Sequence, residues 1–312
     1  MRREPRLIAA YHGLLQVAQM TGDEELLTSS AEAALELDSA DQWIYDDWID
    51  AVMPQWGGSI EAMDAVAHRA VSHVSRNPLL ARTPARSLCY QAKQYYCATC
   101  KNDFPQALAL YRKAAEFGPV ACFLTYAPGA AAGSGDYGDA VRYESQTYRF
   151  FGKTDDIVYR ADYLSQIGHA DWAREDLARM IAEYPKYTSA LEHLAYLDEH
   201  AGNPQAAAKG YARIIEIDAN HERAKLELSR LYMSSVPARD KAKALIEELL
   251  ARNPKLARAW ENRAMLVCNE SDAQCRESLE KFLELANPDD AYEKKEIPRA
   301  KAKLAELGAL GH

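Results

Sequence analysis

The sequence predicts an all-α fold: a right-handed α-solenoid of about eight antiparallel helix pairs, closed by a C-terminal capping helix. Three observations predict it. From position 154 onwards residues recur at a period of about 34: Gly168 with Gly202, Ala161 with Ala195, Ala173 with Ala207, Leu177 with Tyr211, Met180 with Ile214. After a slip of one residue, Ala207 recurs as Ala242, Tyr211 as Ile246 and Ile214 as Leu249, while Pro185 is echoed by Ala219, Pro254 and Pro288. Within a period the order is a small residue, a glycine seven later, then alanine and two large apolar residues at helical intervals, which describes a helix–turn–helix unit. Finally, 312 residues exceed a typical single core, and nothing in the composition marks a second one. Units that bury their apolar faces only against their neighbours resolve that mismatch.

Taken in order, MRREPRLIAAYHGLLQ has a basic start, but His12 and Gln16 interrupt its apolar stretch and no small-x-small cleavage site follows. It reads as a first amphipathic helix rather than a signal peptide, and the expected compartment is the cytoplasm. Helix pairs are placed at about 8–37, 41–76, 84–117 and 119–151 from weaker versions of the pattern. The clear units follow. The first is Asp155–Ile167, a turn through Gly168-His169-Ala170-Asp171, and a helix to Tyr184, stopped by Pro185. The second is Ser189–Ala201, the turn Gly202-Asn203-Pro204, and a helix to Ile217, with Pro204 in the first helical turn where its missing N–H costs nothing. The third is Arg223–Met233 and Asp240–Arg252 around Ser234–Pro237. The fourth is Ala257–Cys268 and Gln274–Ala286 around Asn269–Asp272. Beyond Pro288, Asp289–Leu307 is a charged helix with the polarity that a solenoid cap needs for solubility.

GNPQAAAKGYARIIEID and the period of about 34 resemble tetratricopeptide repeats over residues 154–287. DFPQALALYRKAAEFGPVACFL, Asp103–Leu124, resembles the related Sel1-like repeats. Four regions result, read as one continuous solenoid: 1–76, acidic helical pairs; 77–153, Sel1-like or degenerate pairs; 154–287, four repeats; 288–312, capping helix and tail. One segment departs from the pattern. WIYDDWIDAVMPQWGGSIEAMDAVA, Trp43–Ala67, is similar to a WGGS-bearing bacterial family of unknown function in which the signature sits late in the domain; by that resemblance a longer N-terminal part would precede it. Here Gly57-Gly58 can turn the chain at positive φ and Ser59 can cap a helix beginning at Ile60. Trp43, Trp48 and Trp56 are expected in the core, the other reading being a rigid anchor for a partner.

The net charge of −9 is unevenly placed: residues 1–75 hold thirteen acidic and four basic side chains, and the remainder balances. An acidic face at Asp38, Asp41, Asp46, Asp47 and Asp50 repels phosphate backbones, so nucleic acid is not an expected partner and a basic protein is. No apolar run approaches the length of a bilayer span, so no membrane insertion is expected.

The chemistry-bearing patterns are weak. Cys89, Cys97 and Cys100 fall within about 80° of one helix face, and Cys122 is the natural fourth ligand if they held zinc. Without a second C-x-x-C or a neighbouring histidine, the expectation is apolar filling rather than a metal or redox site. Cys268 and Cys275 flank a turn, but a cytoplasmic chain gives no reason to bond them. Glu192-His193 with Asp198-Glu199-His200 is the only histidine–carboxylate cluster of interest, and it lacks the H-E-x-x-H spacing. Gly133-Ser134-Gly135-Asp136 lacks the lysine of a phosphate loop and reads as a turn. No catalytic residue, cofactor or metal is expected, and the chain is not read as an enzyme.

The tetratricopeptide resemblance implies a groove lined by the first helix of each pair. It assigns Asp155, Val158, Asp162, Ser165 and Gln166 in the first clear unit, and Ser189, Glu192, Tyr196, Glu199 and His200 in the second. It assigns Arg223, Leu226, Arg230, Met233 and Ser234 in the third, and Arg258, Glu261, Met265, Cys268 and Asn269 in the fourth. Chaperone-binding relatives clamp a C-terminal carboxylate with lysine and asparagine. Here the lysine position holds Val158, Glu192, Leu226 and Glu261, and the asparagine position Asp162, Tyr196, Arg230 and Met265, so the clamp is absent. A mixed-charge groove with methionine suits protein recognition. The leading reading is a non-enzymatic protein-interaction scaffold acting through groove or acidic face. The alternatives are an immunity protein masking a basic toxin or effector domain, and an adaptor of a bacterial secretion or envelope system.

Overall fold

A computed structural model describes residues 5–96 and 102–309, and all regular structure among them is helical. The chain divides into two compact units, Met1–Ile167 and Gly168–His312, a break that falls in the turn of the first clear repeat.

The first unit opens with α1 (Pro5–Thr21), α2 (Glu24–Leu37), α3 (Gln42–Ala51) and α4 (Ile60–Val71). They close on Leu15, Ala31, Ile44, Tyr45, Ile49 and Met63, none more than 1% exposed. α5 (Thr83–Tyr96), α6 (Phe104–Ala115), α7 (Ala121–Gly133), α8 (Tyr137–Phe151) and α9 (Thr154–Gln166) follow. Ala85, Cys89, Tyr111, Phe123 and Tyr143 form the core beneath α5 to α8, and α8 packs on α9. Local chemistry starts these helices: Asp23, Asp41, Ser59, Asp103 and Asp136 each accept a hydrogen bond from the backbone N–H three residues on, at 2.9–3.1 Å, satisfying donors that a helix start leaves orphaned.

The WGGS segment divides its work between its two glycines. Gly57 ends a short 3-10 turn, Pro54–Trp56, at φ 95°, whereas Gly58 has an ordinary φ but lies so close to the Val52 carbonyl that a Cβ would sit 2.0 Å from its oxygen. Only the first meets the expectation of positive φ; the second is there for close approach. Ser59 caps α4 as expected. Of the tryptophans, Trp48 is buried with the Arg69 guanidinium 5.3 Å from its ring centre, while Trp43 is 71% and Trp56 47% exposed. The core expectation is thus corrected for two of the three.

Pro128 lies inside α7 and has no N–H for the Leu124 carbonyl, four residues back. Thr147 of α8 takes over: its hydroxyl reaches Leu124 O at 2.7 Å, with its own i−4 carbonyl, Tyr143 O, at 3.0 Å, and the group is buried. Thr147→Val keeps the shape and strands that carbonyl. It is expected to cost about 1–2 kcal/mol, read as a lower urea midpoint at unchanged slope.

The second unit comprises α10 (Ala170–Glu183), α11 (Thr188–His200), α12 (Pro204–Ile217), α13 (Glu222–Ser234), α14 (Arg239–Arg252), α15 (Ala257–Val267), α16 (Asp272–Leu285) and α17 (Glu293–Ala309). These match the expected helices closely, and Pro204 opens α12. The capping helix begins at Glu293 rather than Asp289, because the Asp290 carboxylate receives the N–H groups of Tyr292 and Glu293, each at 2.9 Å, and sets the start there. In the pair α11–α12, the helices approach on small residues. A Cβ on Gly210 would lie 2.9 Å from that of Ala195, so α11 and α12 meet almost backbone to backbone above Leu191, Tyr211 and Ile214. Between successive first helices, buried Asn262 of α15 donates to Leu226 O at 3.0 Å and lies 2.9 Å from Ser229 Oγ, both on α13. That contact repeats no sequence motif, yet it fixes the register of the two helices.

Candidate functional site

α11, α13 and α15 are the first helices of three successive pairs, and the charges they carry are joined in a ladder. Arg223 Nε lies 2.7 Å from Glu192, and Arg230 Nη2 donates to both Glu199 oxygens, at 2.6 and 2.7 Å. Arg230 also donates to Glu227 at 3.0 Å, and Arg258 reaches the other Glu227 oxygen at 2.6 Å. Arg258 in turn lies 4.2 Å from the centre of the Tyr292 ring, whose hydroxyl donates to Glu261 at 3.1 Å. Four of these contacts, Glu192–Arg223, Glu199–Arg230, Glu227–Arg258 and Glu261–Tyr292, join residues 31 apart. In a repeat of about 34 that offset lands one helical turn short of the equivalent position on the next first helix, which is why the pairs recur.

The electrostatics follow from this pairing. Burial works to raise the Glu227 carboxyl, but Arg258 and Arg230 outweigh it and hold it below the ordinary carboxylate value. Burial also works against the charge of Arg230 and Arg258, and their carboxylate partners raise both instead. Glu261 goes the other way: burial first, then the nearby charge of Glu296, push it up to about 7 against the Tyr292 hydroxyl and Arg258. Tyr292 rises to about 12, from burial and then from Glu261.

Several assigned groove residues do not line a surface. Val158 and Leu226 are each 4% exposed, and Leu226 packs with Leu249 and Ala259; a branched apolar side chain on that helix face gains more from the adjacent helix than from water. Glu261 is buried beside Tyr292, and Met233 is half-buried against the cluster of Ile246, Leu266 and Val267. Asp162, Ser165 and Ser189 are half-buried, while Asp155, Gln166, His200, Arg223, Ser234 and Asn269 are exposed. Tyr196 at 42% and Met265 at 44% are the exposed large apolar side chains on α11 and α15. Tyr196 lies against His200 with ring centres 3.9 Å apart, and Met265 borders a cavity of about 450 Å³ walled by Leu279, Phe282 and Glu296.

The histidine–carboxylate cluster is dispersed by the same contacts. Glu192 and Glu199 are taken by arginines, and the ring Nδ1 groups of His193 and His200 bond backbone carbonyls of their own helix at 2.9 Å. The cluster's own histidines thus turn to backbone carbonyls, and the histidine beside Glu192 is His221 of α13, with Nε2 at 3.6 Å.

The five aspartates assigned to the acidic face are all engaged within the first unit. Asp41 caps α3, Asp38 faces Arg76 at 3.3 Å, and Asp47 accepts from His12 at 2.7 Å. Asp46 and Asp50 grip Arg86 at 3.3 and 2.5 Å. Burial raises the Asp46 carboxyl, with Arg86 opposing it. Within the acidic face, arginines thus pair with Asp38, Asp46 and Asp50, while Asp41 serves a helix cap and Asp47 a histidine.

Two solved structures share this architecture. A tetratricopeptide repeat protein from Parabacteroides merdae aligns at a TM-score of 0.54 over 73% of this chain and 93% of its own, with 18% identity. The C-terminal part of a repeat-containing protein from Cytophaga hutchinsonii aligns at 0.50 over 75% and 93%, with 14% identity. The fold is that of the tetratricopeptide-repeat proteins. No family model and no curated protein matches the chain.

Within the tetratricopeptide-type pairs the cysteines take a role the spacing argument missed. Cys89 of α5 is bonded to Cys122 of α7, with Cα atoms 6.1 Å apart, and Cys268 to Cys275 across the α15–α16 turn, at 4.4 Å. The expectation of an unbonded Cys268 and Cys275 is corrected: the turn brings the two β-carbons together. The bond also removes Cys89 and Cys122 from a zinc set, while Cys97 and Cys100 lie outside the described residues. No group of metal-ligating side chains occurs among the described residues, and no described helix is long and apolar enough to cross a membrane.

Proposed function

We propose that this chain is a non-enzymatic protein-interaction scaffold whose protein partner docks on the α11–α13–α15 face of the second unit. The ion-pair ladder carries the reading. It holds long charged side chains in one geometry before any partner arrives, so little rotamer entropy is lost on docking. Tyr196 and Met265 stand exposed on that frame, one an amphipathic aromatic and the other an adaptable thioether, the side-chain types that serve as anchors. The immunity alternative drew on an acidic patch and on the large surface a repeat scaffold can wrap; Arg76 and Arg86, paired with Asp38, Asp46 and Asp50, weaken the first of these. The adaptor reading differs only in who the partner is.

The test is capture of host proteins by the full chain, compared with a Tyr196→Ala/Met265→Ala double variant. A partner retained in stoichiometric amount by the wild type should fall about tenfold on the variant, a loss of the size that a hot-spot side chain accounts for, with unchanged melting. Equal retention by both proteins, or no stoichiometric partner for the wild type, defeats the reading.

A further inference from the structure

The first unit contains a cavity of about 370 Å³ where α5, α7, α8 and α9 meet. Its composition is unlike that of a packing defect. Two carboxyl side chains line it, Glu144 of α8 at 5% exposure and Asp156 of α9 at 6%. Asp156 Oδ2 is buried with no hydrogen-bond partner. A buried polar oxygen left unpaired costs stability, and a carboxyl that carries one in a cavity wall is a place for a donor. Four aromatic side chains share the wall, Tyr96, Phe151, Tyr159 and Tyr163, beside Leu124, Pro128 and two threonines. Tyr159 is 55% and Phe151 38% exposed, so the rings reach solvent at the cavity mouth. Tyr96 is held by a close fit, since a Cβ on Gly129 would fall 2.3 Å from its hydroxyl oxygen.

We propose that this cavity binds a protonated alkylamine, with the ammonium between Glu144 and Asp156 and the alkyl chain against the rings. Each feature selects that chemistry. An anion would meet two carboxylates, and a neutral apolar guest would leave Asp156 Oδ2 unpaired. An ammonium supplies three donors, and aromatic faces attract its charge where water is excluded. A hard metal ion asks for six or more oxygen ligands, which an aromatic wall does not offer. The cation that already lines the cavity, Lys153, is exposed with Nζ 5.2 Å from the centre of the Phe151 ring, so one of the rings already holds an ammonium at the edge of the site. The amine has two sources, a lysine side chain of a partner protein or a free diamine. The site stands apart from the second-unit docking face: either reading can fail while the other holds.

The experiment is calorimetric titration of the full chain with 1,4-diaminobutane and with Nα-acetyl-lysine methylamide. N-acetyl-norleucine methylamide serves as the neutral isostere and calcium chloride as the metal, all at matched ionic strength. Saturable one-to-one binding of either amine, with none for the norleucine compound or calcium, is expected. Tighter binding of the lysine compound marks a partner's side chain as the source, and tighter binding of the diamine marks a free amine. Asp156→Asn should weaken binding at least tenfold. Tyr159→Ala, at an exposed position where folding is not at risk, should weaken it about threefold, the loss of one partly exposed cation–π contact. Saturation by neither amine, binding of norleucine or calcium equal to that of the amines, or amine affinity unchanged in both variants overturns the proposal.

Discussion

Gly58→Ala is expected to destabilise the first unit by about 3 kcal/mol, because overpacking against rigid backbone has few ways to relax. The added Cβ would meet Val52 O at 2.0 Å, Val52 C at 2.4 Å and Val52 Cα at 2.8 Å. All three are main-chain atoms at the end of α3, where Val52 N–H already bonds back to Trp48 O at 3.1 Å. To admit the methyl group, the link between α3 and α4 must open, and Ile49 and Met63 on those helices are both fully buried. Gly57→Ala should cost less, about 1 kcal/mol, since it strains only the local φ of 95° with open space around it. Gly13→Ala provides the opposite sign: it lies within α1 with nothing within 4 Å of the new Cβ, and should stabilise by roughly 0.5–1 kcal/mol. Urea unfolding followed by tryptophan fluorescence separates the three. A Gly58→Ala midpoint indistinguishable from the wild type would mean that the WGGS turn is looser than described and that its second glycine is not a packing requirement.

That turn shows what a single sequence discloses and what it hides. Ser59 as a cap and a glycine at positive φ are local facts, set by residues adjacent in the chain, and both were readable. The reason for Gly58 was not, because its neighbour is the carbonyl of a helix end whose position depends on how α3 packs. The helix pairs themselves were readable for the same reason as the caps: Gly168, Gly202, Pro185 and Pro204 punctuate the chain at fixed offsets. The ladder was half readable. Glu199, Arg230, Arg258 and Glu261 were picked out as surface residues by resemblance, and each was treated alone. Glu192 and Arg223, Glu199 and Arg230, Glu227 and Arg258 share one offset of 31, a signal present in the sequence that a search restricted to the period itself passes over. Burial of Val158 and Leu226 was misjudged because a repeat register specifies a face only to within one residue, and a step of 100° separates groove from core. Trp43 and Trp56 erred through composition: large aromatics are buried on average, and an average says nothing of a residue at a helix start or in a 3-10 turn. Glu144 and Asp156 had no signature at all. They stand on different helices, share the cavity with Tyr96 from a third, and no spacing along the chain unites them.

Glu144 gives the strongest expected response to pH. Burial first, then the charge of Asp156, push its carboxyl up to about 8 from an ordinary 4.5, against the partial relief of Arg160. Asp156 moves in the same direction through burial, opposed by the charge and backbone N–H of Lys153 and reinforced by Asp155. From α9 and α5, Tyr159, Asp162, Tyr163 and Tyr96 complete the titratable groups around them, and the Tyr163 hydroxyl is itself raised by burial and by Glu144. The sign follows from proton counts. Between pH 4.5 and 8 the unfolded chain has released the Glu144 proton and the folded chain retains it, so stability falls as pH rises through that window. The contribution is complete below 4.5 and gone above 8. Glu144→Gln removes the ionisation altogether. The variant is expected to match the wild type near pH 4.5 and to exceed it at pH 8.5 by roughly 2 kcal/mol, less than full linkage would give because the cavity opens to solvent. Urea midpoints measured across that range would decide it: parallel curves for the two proteins would show that Glu144 is already ionised in the folded state. A residue that weakens its own fold at neutral pH calls for a compensating use, and a bound ammonium is one. It stabilises the ionised carboxyl, so saturating diaminobutane should flatten the wild-type curve in the window where Glu144→Gln is flat without it. If the amine instead raises both curves equally at every pH, the stabilisation arises away from Glu144, and the ionic half of the site is wrong.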